Sequence, residues 1–241
     1  MKRTTSIAAT ICALGLLALT RPLAAQVGYE PAKSPYQDVP WRQGITGIVG
    51  WYNAAVDPAG VAPRSAPMYG LRYDVQLAGP AQLTVRSVAT MSKRHVLDPR
   101  QPRATRLLGE VSAPLLLTDV GIALNLTGQR SWHGLVPVVQ FGAGVAADLK
   151  PASDVGNYKF GGTSGTTFAL SLGTGIRYVP GGRYNRWEVR GDVTDYLFAI
   201  KYPSSYISTA ATPSILGSTA SASSWRHNAG LTLGLTYRFL R

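Results

Sequence analysis

From Ile45 to Phe239, segment after segment places an apolar residue at every second position. This period of two constrains the fold more than any other feature of the chain. A side chain that changes face at each step belongs to a strand, whereas a helix repeats its apolar face every three to four residues. Long helical periods are hard to find between these segments, and Gly and Pro are plentiful, so an all-β fold is expected.

Eight segments carry the pattern: residues 44–55, 68–77, 81–91, 115–127, 135–148, 167–178, 187–197 and 229–239. Three joins between them are short, at residues 78–80, 128–134 and 179–185. The others, at residues 56–67, 92–114, 149–166 and 201–223, are longer. Short and long joins alternate strictly, as in an up-and-down antiparallel barrel that has tight turns at one end and loops at the other. An even number of strands brings both ends of the barrel chain to the short-turn side.

The two faces of these strands differ in kind. One is oily, and the other is mostly Gly, Ala, Ser and Thr with a few charges of both signs. A soluble barrel that binds ligand inside would instead coat its outer face with long hydrated Lys and Glu side chains. Small residues suit a crowded interior, which also accounts for Gly142-x-Gly144 and Gly173-x-Gly175 within strands. Arg72, Asp74, Arg86, Asp119, Arg177, Glu188, Arg190, Asp192 and Arg238 are therefore expected in the lumen, paired by sign, because an unpartnered charge away from water is costly. Glu188-x-Arg190-x-Asp192 is the densest of these clusters. It reads as a salt-bridge filling in preference to an ion or proton relay.

The oily rows end on aromatic residues: Trp51, Tyr69, Tyr178, Trp187, Trp225, Tyr237 and Phe239. Such rings favour a membrane interface, where the body is apolar and an N–H or O–H reaches water. Strands of this length suit a crossing of ~25 Å of apolar band at a tilt of ~40°. The pattern predicts an eight-stranded antiparallel up-and-down transmembrane β-barrel over residues 43–241.

Two segments precede it. Lys2 and Arg3, an uncharged run over residues 4–20 and Ala24-Ala25 have the layout of a secretory signal peptide, residues 1–25. Its removal takes away Cys12, the single cysteine, and with it disulfide and thiol chemistry. It also removes Lys2, Arg3 and Arg21 from the 24 basic residues, leaving 21 against 12 acidic ones and a net charge of +9. For an exported chain that charge points to an anionic surface, and no nucleic-acid partner is expected. Residues 26–42, rich in Pro and Tyr, read as an extended periplasmic leader and not as a strand.

The signal segment, the eight alternating strands and the aromatic-ended last strand resemble the small eight-stranded outer-membrane β-barrels of Gram-negative bacteria, the OmpA, OmpX and OmpW type. The resemblance is architectural and covers residues 43–241. It implies residence in the bacterial outer membrane and contact with outer-membrane lipid and lipopolysaccharide. It also implies handling by the barrel-assembly machinery, which in such families reads a final strand with alternate apolar residues and a terminal aromatic. Leu231, Leu233, Leu235, Tyr237 and Phe239 match that pattern, with Leu240 and Arg241 following where many family members end on the aromatic.

Chemistry is sparse. His95, His133 and His227 show no zinc spacing. The lipid A deacylases among such barrels need a His and a Ser two apart on one strand face with a carboxylate nearby; Ser131 stands two residues before His133, but both fall in the expected 128–134 turn. His133 is expected in a turn, His227 near the loop end of the last strand, and His95 on a loop between Ser92 and Asp98. No catalytic residue, metal or cofactor is assigned. Lys93, Arg94, Arg100, Arg103 and Arg106 crowd residues 93–106 with Asp98 as the acid among them, a candidate contact for lipopolysaccharide phosphates. The expected function is a non-enzymatic structural or surface role for a monomeric barrel with a side-chain-filled polar lumen. A narrow channel or carrier for small molecules is the alternative, with a lipid-modifying enzyme and a soluble ligand-binding barrel behind it.

Overall fold

The computed structural model describes residues 34–40, 42–150, 165–180, 185–209, 212–221 and 223–239. The expected signal segment 1–25 lies outside the described residues, as do Leu240 and Arg241. Residues from Pro35 onward form one compact unit.

Eight strands make a ring: β2 (Gln43–Asn53), β3 (Ala66–Ala78), β4 (Ala81–Thr90), β7 (Leu115–Asn125), β9 (Leu135–Asp148), β10 (Thr166–Tyr178), β11 (Trp187–Lys201) and β12 (Ser223–Phe239). Each pairs antiparallel with its neighbour in the chain. Closure comes from β12 on β2, with Phe239 opposite Gln43 and Ala229 opposite Asn53. No barrel strand is left with an open edge. The expected segments coincide with these strands to within a few residues, except that β12 begins at Ser223, where it meets Lys201 of β11.

Alternation sorts the side chains as the pleat requires. Val49, Leu71, Val120, Leu172, Leu231 and Leu233 point outward and are more than half exposed. Their neighbours in sequence point into a lumen too narrow for bulk at every level. Where β7 and β9 approach, a methyl group on Gly144 would stand 1.9 Å from the Thr118 carbonyl oxygen, and one on Gly121 2.2 Å from that of Phe141. Glycine is required there by close backbone approach.

Two connections carry structure that alternation did not suggest. Within the 92–114 join, β5 (Lys93–Leu97) and β6 (Leu107–Ser112) form their own antiparallel hairpin, Lys93 opposite Ser112 and His95 opposite Glu110. His95 is thus on a strand, not a loop. The leader likewise contains a strand, β1 (Tyr36–Asp38), against β8 (Arg130–Trp132) in the turn between β7 and β9. Its partner lies more than ninety residues away, so no local pattern could reveal it. Beyond β1, the Val39 N–H donates to the Gln129 carbonyl at 3.0 Å, and the Arg42 carbonyl accepts from the Gln76 N–H of β3 at 2.7 Å. The leader is a strap tied to two separate strands at the short-turn mouth. The β8–β9 turn is His133-Gly134, with φ of 50° and 80°, the paired left-handed geometry of a tight hairpin.

Candidate functional site: the lumen and a loop-end pocket

All nine charges expected in the lumen are buried there, none more than 6% exposed. They form three stations along the barrel axis. At the short-turn end, Glu188 stands between two arginines, with Arg238 Nε at 2.7 Å and Arg177 Nε at 3.4 Å. Arg177 also donates to Gln82 Oε1 at 2.8 Å. In the middle, Arg190 grips Asp192 through two bonds of 2.7 and 3.0 Å and reaches across to Asp74 at 3.2 Å. Arg72 completes that station, bonding Asp74 at 2.7 Å and Thr84 at 3.0 Å, and donating to Gln140 Oε1. Above it, Arg86 pairs with Asp119 at 3.0 Å, donates to Thr194 and lies 5.1 Å from the centre of the Tyr196 ring. Arginine suits these stations because its planar fork can satisfy two acceptors at once.

The lumen is not polar throughout. Towards the loop end it is filled by Ile48, Tyr52, Met68, Val88, Leu115, Leu117, Phe198 and Ile200, all buried. Onto them fold Ala59, Val61 and Ala62 from the β2–β3 loop, and Tyr202, Tyr206 and Leu216 from the β11–β12 loop. The polar filling expected from sequence gives way here because the strand tops are apolar on both faces, and the inner one is shielded by loops. Asp57 ties this plug together. Its carboxylate accepts the N–H groups of Val61 and Ala62 at 2.7 Å each and the hydroxyl of Tyr202. Burial, and next the bond to Asp57, push the Tyr202 hydroxyl well above the usual tyrosine range.

The seven expected interfacial aromatics all lie on the outward face. Tyr178, Trp187, Tyr237 and Phe239 ring the short-turn end, where Trp187 meets Tyr237 edge-on at 5.2 Å and Phe239 stacks on Tyr73 at 6.3 Å. Trp51, Tyr69 and Trp225 ring the loop end.

At that loop end a pocket of about 500 Å³ opens between the β2–β3 loop and the β5–β6 hairpin. Glu110 bridges its walls, accepting from Arg64 Nη1 at 2.6 Å and lying 3.0 Å from His95 Nε2. Arg64 and Glu110 were not singled out in the sequence because they become neighbours only through pairing across strands. Of the five basic residues in this connection, Lys93, Arg100 and Arg103 are exposed and Arg106 half-buried. Arg94 is 2% exposed, which removes it from the expected lipopolysaccharide contacts: it alternates with Lys93 and His95 on β5 and turns inward.

His227 also gains a carboxylate across strands, with Nδ1 2.6 Å from Asp195 Oδ2 on the outward face. Among the described residues, neither His95 nor His227 is hydrogen-bonded to a hydroxyl, and no cluster of His, Cys, Asp and Glu suits a metal ion.

The sequence matches no family model and no curated protein. Among solved structures it is similar to the outer membrane protein OprG from Pseudomonas aeruginosa, at 11% identity and a TM-score of 0.51 over 86% of this chain and 100% of that one. It also aligns with the N-terminal β-barrel domain of OprF from Pseudomonas aeruginosa, at 12% identity and a TM-score of 0.41 over 82% and 98% of the two chains. With every strand of the ring paired on both sides and OprG matched over its whole length, the chain has the fold of the small eight-stranded outer-membrane β-barrels.

Proposed function

We propose that the chain is a non-enzymatic, monomeric barrel of the bacterial outer membrane, with a structural or surface-interaction role and no pore. On this reading residues 1–25 direct export, the barrel-assembly machinery inserts the chain, the strap and short turns face the periplasm, and the loops face outward. The outward apolar band between two aromatic girdles supports the membrane: on a protein in water it would be an aggregation site.

The observation that carries the absence of a pore is the filled lumen. The voids described beside Thr84 and Arg86 and beside Arg177 and Arg238 are each about 10 Å³, at the lower edge of what one water molecule occupies. The strap residue Val39 lines one of them beside Arg177 and Arg238. Single-channel recording in planar bilayers tests the reading. No openings are expected, and regular openings of fixed conductance would favour the narrow channel instead. The non-enzymatic part rests on two imidazole–carboxylate pairs without a hydroxyl. Expression in a lipid A-producing host is expected to leave the lipid A mass unchanged.

A further inference from the structure

We propose that the loop-end pocket seats the phosphate of a membrane lipid headgroup on Arg64 and Lys93, with the acyl chain lying down the outside of β3 and β4. The proposal rests on the membrane reading above and adds a defined site and ligand class to it.

The pocket is built before any ligand arrives. Its two walls are joined by main-chain and side-chain bonds: the Arg64 N–H donates to the Lys93 carbonyl at 3.0 Å, and the Ser92 hydroxyl donates to the Arg64 carbonyl at 2.6 Å. Glu110 fixes one nitrogen of the Arg64 guanidinium and leaves the side chain 54% exposed. Lys93 is exposed and has no carboxylate partner among the described residues. Asp57 lines the same pocket, but its oxygens are occupied by the β2–β3 loop and Tyr202. An anion here meets two carboxylates against two cations, with Asp57 turned toward the N–H groups of its own loop and Tyr202, which leaves Glu110 as the acid beside the cations. A phosphate oxygen has acceptors for both, and arginine and lysine are the residues that recognise it.

The floor argues for a lipid over a free anion. Pro67 and Met91 line the pocket and face outward from the barrel wall. Pro67 is opposite Trp51 in the ladder, and the Tyr69 hydroxyl lies 3.8 Å from Met91 Sδ. Cations thus stand directly above an apolar track that begins at the loop-end aromatic girdle. An amphiphile satisfies both; inorganic phosphate satisfies one.

The test uses the full chain, purified in a neutral detergent and titrated with short-chain phosphatidic acid, the matching diacylglycerol and inorganic phosphate, with retention read by native mass spectrometry. Phosphatidic acid should be retained, diacylglycerol should not, and inorganic phosphate should not displace it. In R64Q/K93Q, binding should weaken about tenfold or more, the scale of a lost charge-assisted hydrogen bond. K93Q alone, whose side chain supports no described contact, should weaken it without touching the fold. R100Q/R103Q, which removes exposed charges elsewhere in the same connection, should bind as wild type. Equal binding by wild type and K93Q, equal loss in R100Q/R103Q, or displacement by inorganic phosphate would each overturn the lipid seat. Flotation with liposomes checks membrane insertion separately: a chain that stays in the aqueous phase overturns the membrane reading, while the phosphatidic acid titration still judges the pocket.

Discussion

The two halves of the lumen share one strand geometry and are filled in opposite ways. Around Glu188, Arg190 and Arg86 the walls hold one another by ion pairs, so that every buried charge answers a charge on another strand or two residues along its own. Around Leu115 and Phe198 they hold by packing, and residues from the loops complete the core. Each end is filled from what the chain brings to it. Long loops can send Val61, Tyr206 and Leu216 inward, whereas short turns and a strap have little to send. The short-turn half must be filled from its own walls, and long arginine forks bridge a width that small residues leave open.

Breaking the ionic half at a shared partner should do the most damage. Glu188→Ala leaves Arg177 and Arg238 buried without their carboxylate and is expected to cost about 3–5 kcal/mol, read by urea unfolding in lipid vesicles. Leu115→Ala probes the packed half and should cost about 3 kcal/mol by the same measurement, as a cavity in a well-packed core does. Asp57→Ala should cost about 1–3 kcal/mol and expose the β2–β3 loop to protease while the ring stays intact. Exchanging the uppermost pair for apolar residues of similar size, R86M/D119L, probes the boundary between the two halves. It extends the packed half downward and should change stability by no more than about 1 kcal/mol, although D119A alone should cost several-fold more.

Among the single substitutions the smallest effect belongs to Tyr202→Phe, about 1 kcal/mol. Its pH dependence has a definite sign. The folded hydroxyl titrates above the unfolded one, so its stabilising contribution is whole below about pH 10 and fades only as the pH climbs through the higher folded value. The difference in stability between wild type and variant should stay constant to about pH 10 and shrink beyond it.

The barrel was legible because its signal is local. Inward and outward residues of β10, such as Arg177 and Tyr178, differ by one step in the chain, and that step reports the face. What was missed depends on distant partners. Tyr36–Asp38 is a strand only because Arg130–Trp132 lies beside it, and three residues show no period. The β5–β6 hairpin escaped because Pro99 and Pro102 interrupt a short pattern, so Arg94 was read with the exposed cations of its loop. Lumenal charges could be named from sequence, but not which arginine meets which acid. Arg190 and Asp74 are 116 residues apart. The apolar upper lumen was hidden for the converse reason, since Leu115, Leu116 and Leu117 are oily on both faces and period two has nothing to report there.

Closure of β12 on β2 also sets the order of events in folding. Thr46 and Thr236, 190 positions apart in the chain, share a hydrogen bond of 2.8 Å, so the ring cannot be completed by any early portion of the chain. Contacts of such long range form slowly, since the loop they close must first be gathered. Until then β2 and the growing sheet both present unpaired edges. A chain built this way has to be kept from premature association while it folds, and it becomes safe from edge pairing in the single step that joins its first barrel strand to its last.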